Sequence, residues 1–455
     1  MKKKILITTV SPPVQNIGGP GKFAPKLFKH LYNFISEKKD YVSKYEILGM
    51  FNDILVERPE EITYFDRLLN SSRTLKNKIK SKIKNLLLKK NPTLYIKILQ
   101  YRAKKRQEKI LKLTNNKNIS LIHAHCFEGV KVWAEKDIKI IFTNHYKGSL
   151  YNEYIRHIPG FNNDIFKEYF LKVERETIKR ANLITFPSNS AKNLLINDFP
   201  DLTNIIESKS KIVYSGIEDL LPGNVEYRSY FSLKDKNLVL NIANHIPAKG
   251  IDITIRVFKE LLRVNPNLKL VNIGMFGPET DNLKKLVVNL NLEDKVLFRE
   301  VISHNELLSM IKKSIAIIHT PTSFVLDLVI LEAMSLFTPI IALDSNGLRE
   351  VLGDDHPLYV RINVDENNIN LCFDPEILVN IDELYKVAEI SRSRFLELFT
   401  IEKMCNNYMS VYEELIWPIP KFIYNTNTFK LQTRGYCAWR WEKSKGLCGR
   451  GAYGS

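Results

Sequence analysis

The chain has 455 residues, a formal net charge of +17, 44% apolar residues and 10% aromatics. That length suits two domains of about 200 residues, and the apolar content excludes a mainly disordered or fibrous protein. No stretch reaches the roughly 18 consecutive apolar residues of a spanning helix, and the apolar run Ile5 to Val10 is too short for a signal peptide, so a cytoplasmic protein is expected.

Ile5 to Val10 reads as a first strand, followed by a loop holding Gly18 and Gly19 and a helix from about Lys22 to Phe34. Further β-rich runs follow at Tyr45–Leu48, Ser120–Ala124, Ile138–Thr143, Asn182–Phe186 and Lys211–Tyr214, with helical stretches at Asp164–Lys179 and Ser190–Ile196 between them. Between Ser71 and Lys112 there are 15 Lys/Arg and one acid, Glu108. Leu75, Ile79, Ile83, Leu86 and Leu87 recur there at helical spacing, with Lys76, Lys78, Lys80, Lys82 and Lys84 on the other faces. Such a helix can lie in an anionic membrane interface, apolar stripe in the acyl boundary and ammonium groups among the head groups. The plainer alternative is a surface helix whose stripe packs on its own domain. Apart from this segment and a basic stretch after Trp417, the remaining 374 residues carry a net charge of only −3. That argues against a nucleic-acid channel.

The pattern breaks at Asp219–Asn224 and restarts as a second βα series. Its strands fall at Asn237–Ile242, Lys269–Ile273, Val296–Phe298, Ile315–His319 and Ile340–Ala342; its helices fall at Ile251–Val264, Thr280–Leu290, Glu306–Lys312, Leu328–Leu336 and Gly347–Leu352. A last helix is predicted at Ile401–Ile416. Strand and helix in alternation give the α/β class: two doubly wound parallel-sheet domains facing a cleft. The expected organisation is an N-terminal domain over 1–218 with the basic helical insert 71–112, a second domain over 219–400, a helix 401–416 packing back towards the first, and a Trp-rich tail 417–455 outside the fold. The five cysteines are scattered without ligand spacing, which predicts free thiols.

Three pieces of the second half carry chemistry. Lys249-Gly250 opens a helix after a strand, which suits a phosphate, because a point charge joins unpaired backbone N–H groups. Gly274 and Gly277 follow the next strand, where the chain must bend or a ligand come close. Glu332 sits among apolar residues of a short helix, and such a carboxylate is costly unless ligand hydroxyls or a nearby turn satisfy it. His123 and His125 end a strand at the cleft edge, and Asp354-Asp355-His356 reads as a solvated turn rather than a metal cluster.

In order and spacing these pieces resemble the donor domain of family 4 glycosyltransferases, enzymes of GT-B fold that use nucleotide sugars. The likeness runs from about Lys236 to Leu352 and extends to Ile401–Ile416. It implies a retaining glycosyltransferase acting in surface-polysaccharide or glycoconjugate assembly, with a glycan, lipid-linked or protein acceptor and neither metal nor cofactor. By the same resemblance Lys249 meets the donor diphosphate, as do the backbone N–H groups of Val329, Ile330 and Leu331. Gly274 and Gly277 lie beside the nucleotide, and Glu332 takes its ribose hydroxyls. Gly18 and Gly19 approach donor phosphate and acceptor, and His145 is the cleft histidine near the transferred sugar. Two positions depart from the family's pattern. The first acid of E-x7-E is replaced by Phe324, with Asp327 the nearest acid, and the phosphate arginine is replaced by Asn244. Those departures leave an alternative: a catalytically silent glycosyltransferase-like subunit that binds acceptor or a partner enzyme.

Overall fold

The computed structural model describes residues 2–9, 20–51, 53–61, 91–157, 163–221, 223, 226–232, 235–323, 326–363 and 368–417. Gly18, Gly19, Phe324, the lysine-rich stretch 71–90 and the tail 418–455 lie outside them.

Two seven-stranded sheets form the frame. The first contains β1 (Lys3–Thr9), β2 (Tyr45–Phe51), β3 (Ile54–Val56), β4 (Ile119–Ala124), β5 (Lys139–Thr143), β6 (Leu183–Phe186) and β7 (Ser210–Ile212) in the order 3-2-1-4-5-6-7. The second contains β8 (Asp235–Ile242), β9 (Lys269–Ile273), β10 (Val296–Arg299), β11 (Ser314–His319), β12 (Ile340–Leu343), β13 (Tyr359–Asn363) and β14 (Asn368–Leu371) in the order 10-9-8-11-12-13-14. Their central strands are near-continuous apolar runs, such as Ile5-Leu6-Ile7 and Ile315-Ala316-Ile317-Ile318, fully buried because helices cover both faces.

The expected parallel pairing holds except at one edge of each sheet, where β2–β3 and β13–β14 are antiparallel. The cause is chain length. Two residues separate β2 from β3 and four separate β13 from β14, too few for the crossover that a parallel neighbour requires. Strand order reverses at β1/β4 and at β8/β11. Those switch points open crevices at the carboxyl ends of the strands.

The helix Ile401–Ile416 lays Met404, Cys405, Tyr408, Met409 and Tyr412 against Ile5, Ile7, Leu121 and Ile141 of the first sheet. Both chain crossings run side by side: Ile217 N donates to Phe399 O at 3.0 Å, and Ile401 N donates to Ile217 O at 3.0 Å. Within the basic segment a helix spans Pro92–Thr114, begun by the Asn91 cap and Pro92. It buries Tyr95, Ile96 and Ile110 against the domain and keeps Leu94, Lys97, Tyr101, Lys105 and Lys112 exposed.

His356 corrects the expectation of a solvated turn. Asp354 and Asp355 are exposed, but His356 is buried, its Nε2 2.7 Å from Ile340 O, where it fastens the turn to the start of β12. Cys126, Cys372 and Cys405 are free thiols.

Candidate functional site

The second sheet's switch point is built around one ion pair. Lys249 ends the turn Pro247–Lys249 after β8, and Asp327 is the residue that precedes the helix Leu328–Ser335 after β11. Lys249 Nζ donates to Asp327 Oδ2 at 2.6 Å, and His319 Nε2, at the end of β11, lies 3.4 Å from the same oxygen. Burial alone would raise the Asp327 carboxyl; contact with His319 and the charge of Lys249 instead hold it well below the usual carboxylate range. His319, only 2% exposed, is kept below its ordinary value chiefly by burial, with Asp327 opposing. The sequence signal for His319 was present, since an imidazole closing a run as apolar as Ile315–Ile318 sits at the mouth of the crevice, but its partner was not legible.

The Lys249 turn is fastened to the loop after β11. Gly250 adopts φ 56°, and a Cβ there would run into the carbonyl oxygen of Thr320. Thr320 Oγ1 donates to Gly250 O at 2.8 Å, and Thr322 N donates to Ala248 O at 3.2 Å. Beneath it, buried amides tie β8, β9 and β11 together. His245 Nε2 is 2.5 Å from Asn272 Oδ1, Asn272 Nδ2 donates to Asn241 Oδ1 at 2.6 Å, and Asn241 Nδ2 donates to Ile318 O at 2.8 Å. Such fully engaged networks fix geometry.

Gly274 and Gly277 lie on this same edge, and the structure supplies a reason for them other than an approaching ligand. A Cβ at Gly274 would strike the carbonyl of Ala243, so the chain itself needs the space. Asn244 Oδ1 accepts from Met275 N at 2.9 Å, which joins the end of β8 to the glycine turn. An arginine has no acceptor and cannot make that bond.

Glu332 is 14% exposed, and its Oε1 lies 2.8 Å from Nε2 of the largely exposed His304. Neither alternative foreseen for Glu332, a ligand hydroxyl or a backbone turn, included this imidazole. Ile330 and Leu331 are fully buried and seat the helix start in the core. Of the three N–H groups assigned to a diphosphate, that of Ile330 already donates to Asp327 O at 3.1 Å.

The first sheet contributes histidines. His125 Nδ1 is 2.8 Å from His145 Nε2, and the rings stack at 5.1 Å. His123 is held between Tyr412 OH (2.7 Å) and Thr143 Oγ1 (2.6 Å), which makes it a satisfied core group. Burial pushes His123 and His145 down to about 3 and His125 well below its ordinary value, so the cluster is neutral near pH 7. Two residues beyond His145, Lys147 reaches the other sheet: its Nζ donates to Ser323 O at 2.8 Å. Glu350 makes a second bridge between the sheets, accepting from Asn189 N (2.6 Å), Ser190 N (3.1 Å) and Tyr214 OH (3.2 Å).

Comparison with known proteins fits this frame. Residues 226–370 match the family model described as Glycosyl transferases group 1, and residues 73–219 match Glycosyltransferase Family 4. The chain is 26% identical over 232 residues to the uncharacterized glycosyltransferase MJ1178 of Methanocaldococcus jannaschii, a match spanning half of this chain and 61% of that protein. Sucrose-phosphate synthase from Thermosynechococcus elongatus superposes with TM-score 0.58 at 17% identity, over 91% of this chain and 99% of that one. HepE of Anabaena, in complex with UDP, superposes with TM-score 0.52 at 14% identity, over 91% and 100%. Two family matches, one on each sheet's half, and two structural likenesses that run nearly end to end lead to one assignment: the chain belongs to the family 4 glycosyltransferases of GT-B fold.

Proposed function

We propose that the chain transfers a hexose from a nucleotide diphosphate sugar to a glycan, lipid-linked or protein acceptor in surface-polysaccharide or glycoconjugate assembly, with retention of anomeric configuration. The observation that carries this reading is Lys249 at a sheet switch point, ion-paired to Asp327 at the amino end of the helix Leu328–Ser335. A cation and a helix N-terminus converging on one crevice suit a diphosphate. HepE, which shares the fold, forms a complex with UDP, and this supports a nucleoside diphosphate here. As the bond from the sugar's anomeric carbon to the diphosphate breaks, charge gathers on the leaving oxygen, where Lys249 and the helix N–H groups act most strongly. The acceptor oxygen bonds to that carbon on the same face, and its proton passes to a diphosphate oxygen. His145, neutral, orients the sugar, and Glu332 holds the ribose hydroxyls.

The segment 71–112 is proposed to dock on anionic membrane. The described half supports this with an exposed face bearing Leu94, Lys97, Tyr101, Lys105 and Lys112, and no helix among the described residues is long and apolar enough to cross a membrane. Sedimentation with anionic but not neutral vesicles, weakened by salt, tests it.

The Lys249–Asp327 pair also favours a second reading, a subunit that binds but does not turn over, because the phosphate cation is already neutralised. One assay separates the two. The chain is incubated with a panel of nucleotide sugars, with and without lipid-linked and glycan acceptors, and nucleoside diphosphate release is followed. Turnover in the wild type that falls about 10²- to 10³-fold in Lys249→Ala supports the transferase. Binding without release in any combination supports the silent subunit, and unchanged kcat/KM in Lys249→Ala refutes the site.

A further inference from the structure

We propose that His125 is a positioning residue for His145: its Nδ1–H donates to His145 Nε2 and fixes His145 as an Nδ1–H donor with no lone pair to offer the crevice. What that donor then meets rests on the nucleotide-sugar reading above. Strands β4 and β5 pair in parallel, with His123 opposite Ile141 and Ala124 opposite Phe142. His125 continues the alternation of β4 beyond its end, and His145 continues that of β5, so both imidazoles leave the sheet on one face. There His125 Nδ1 and His145 Nε2 are 2.8 Å apart, with the rings inclined by 21°.

At that distance one nitrogen carries a proton and the other accepts it. Burial keeps both rings below their ordinary values and therefore neutral, which leaves two arrangements. If His125 donates, its Nε2 is a bare lone pair. If His145 donates, the proton of His125 sits on Nε2. The two differ in what they bury. His125 is 0% exposed, and its Nε2 meets no hydrogen-bond partner among the described residues. Its ring is walled by His123 at 4.2 Å and Phe23 at 5.7 Å. A proton on that nitrogen would be a buried donor without an acceptor, and orphaned buried N–H groups are the rarer defect. His145 is half-buried and its Nδ1 makes no hydrogen bond among the described residues, so the crevice can receive an N–H there without cost.

The pair is held in register from two sides. His125 N donates to Thr8 O at 2.9 Å, and Phe23, in the helix Pro20–Glu37, packs on His145 at 4.9 Å as well as on His125. With its Nε2 lone pair engaged, His145 can donate to a sugar oxygen but can neither attack carbon nor take the acceptor's proton. That proton is left to the diphosphate oxygen.

The test is ¹⁵N NMR of the full chain labelled at histidine, near pH 7.5, in which couplings to the ring protons separate protonated from bare nitrogens. Loss of signals in His125→Ala and in His145→Ala assigns the two rings. The expected wild-type spectrum shows both protonated at Nδ1 and bare at Nε2, although a neutral imidazole in water favours Nε2–H. A proton on His145 Nε2 overturns the proposal, whatever the chain binds. Calorimetry then compares UDP-glucose, GDP-mannose and ADP-glucose with the matching diphosphates, and melting temperatures are recorded alongside. His125→Ala should lose about 3- to 10-fold in affinity for whichever nucleotide sugar the wild type binds, the size of one hydrogen bond, with diphosphate affinity unchanged. His125→Asn, whose amide keeps a donor, should restore most of it and keep the Nδ1–H form of His145. Equal loss of sugar nucleotide and diphosphate in both variants makes His125 structural and overturns its positioning role, as does unchanged affinity in His125→Ala. Should His125→Ala not fold, the wild-type spectrum and His125→Asn decide. A wild type with the expected spectrum that binds no nucleotide sugar overturns the nucleotide-sugar reading and leaves the tautomer standing.

Discussion

Asp327→Asn removes the anion that faces both Lys249 and His319 while keeping the side chain's shape. At 2.6 Å, two unit charges in an effective dielectric of about 20 attract by roughly 6 kcal/mol before desolvation is subtracted. The pair is neither superficial nor sealed, with side chains 20% and 21% exposed. Its loss should fall between the 0–1 kcal/mol of surface pairs and the roughly 3–5 kcal/mol of buried ones, at about 2 kcal/mol. For a domain near 200 residues that lowers the melting temperature by about 4–8 °C. The variant also raises the net charge of the crevice by one, so pyrophosphate and nucleoside diphosphates should bind several-fold more tightly at low salt, and the gain should shrink as salt rises. Turnover moves the other way, because Lys249 loses the group that aims it.

Acid dependence gives an independent reading of the same pair. The Asp327 carboxyl is held below its ordinary value in the folded chain, so its contribution is present above about pH 4 and is lost as pH falls through the folded value. The Asn variant should lack that acid-labile component. An Asn variant with wild-type melting temperature and unchanged diphosphate affinity would refute the claim that Asp327 governs the charge of Lys249.

Two further outcomes follow from the first sheet. Glu350→Ala removes a carboxylate that takes donors from Asn189 (2.6 Å), Ser190 (3.1 Å) and Tyr214 (3.2 Å), so it should cost about 1–3 kcal/mol and speed amide exchange at the start of the helix Asn189–Asp198; exchange unchanged there would show that the bridge is idle. His123 is fully buried and burial holds its value down to about 3, so the unfolded chain takes up its proton first: stability is full above about pH 6.5 and falls as pH drops towards about 3, by about 2 kcal/mol at pH 5, and the buried His125, also lowered, acts in the same direction. Urea unfolding at pH 7.5 and 5 measures this, and equal midpoints would mean that the cluster is open to water.

The βα series was legible because a strand buried on both faces must be apolar along its whole length. Ile315–His319 and Ile340–Ala342 announced themselves in this way and lie within β11 and β12. Of the four edge strands β7 and β10 were foreseen, whereas β3 and β14 were missed because they have three and four residues and their pairing depends on neighbours rather than on their own pattern. In the site, Lys249 and Glu332 could be placed from spacing along one chain segment. Their partners could not: Asp327 reaches Lys249 across 78 residues and His304 reaches Glu332 across 28, and only the sheet order brings those ends together.

Asn244 shows how such a departure can be absorbed. Along the sequence it is a lost cation. In the fold its amide oxygen accepts from Met275 N at 2.9 Å and holds the glycine turn against the end of β8, where Gly274 already leaves no room for a side chain. The position has exchanged charge for an acceptor that an arginine lacks. Charge is less demanding about where it is rooted than a hydrogen-bonded turn, because an ammonium on a four-carbon stem can arrive from any wall of the same crevice. A motif scan sees the lost cation and not the bond from Met275 N that stands in its place, so the activity of a chain with an incomplete motif has to be judged on the crevice as the fold assembles it.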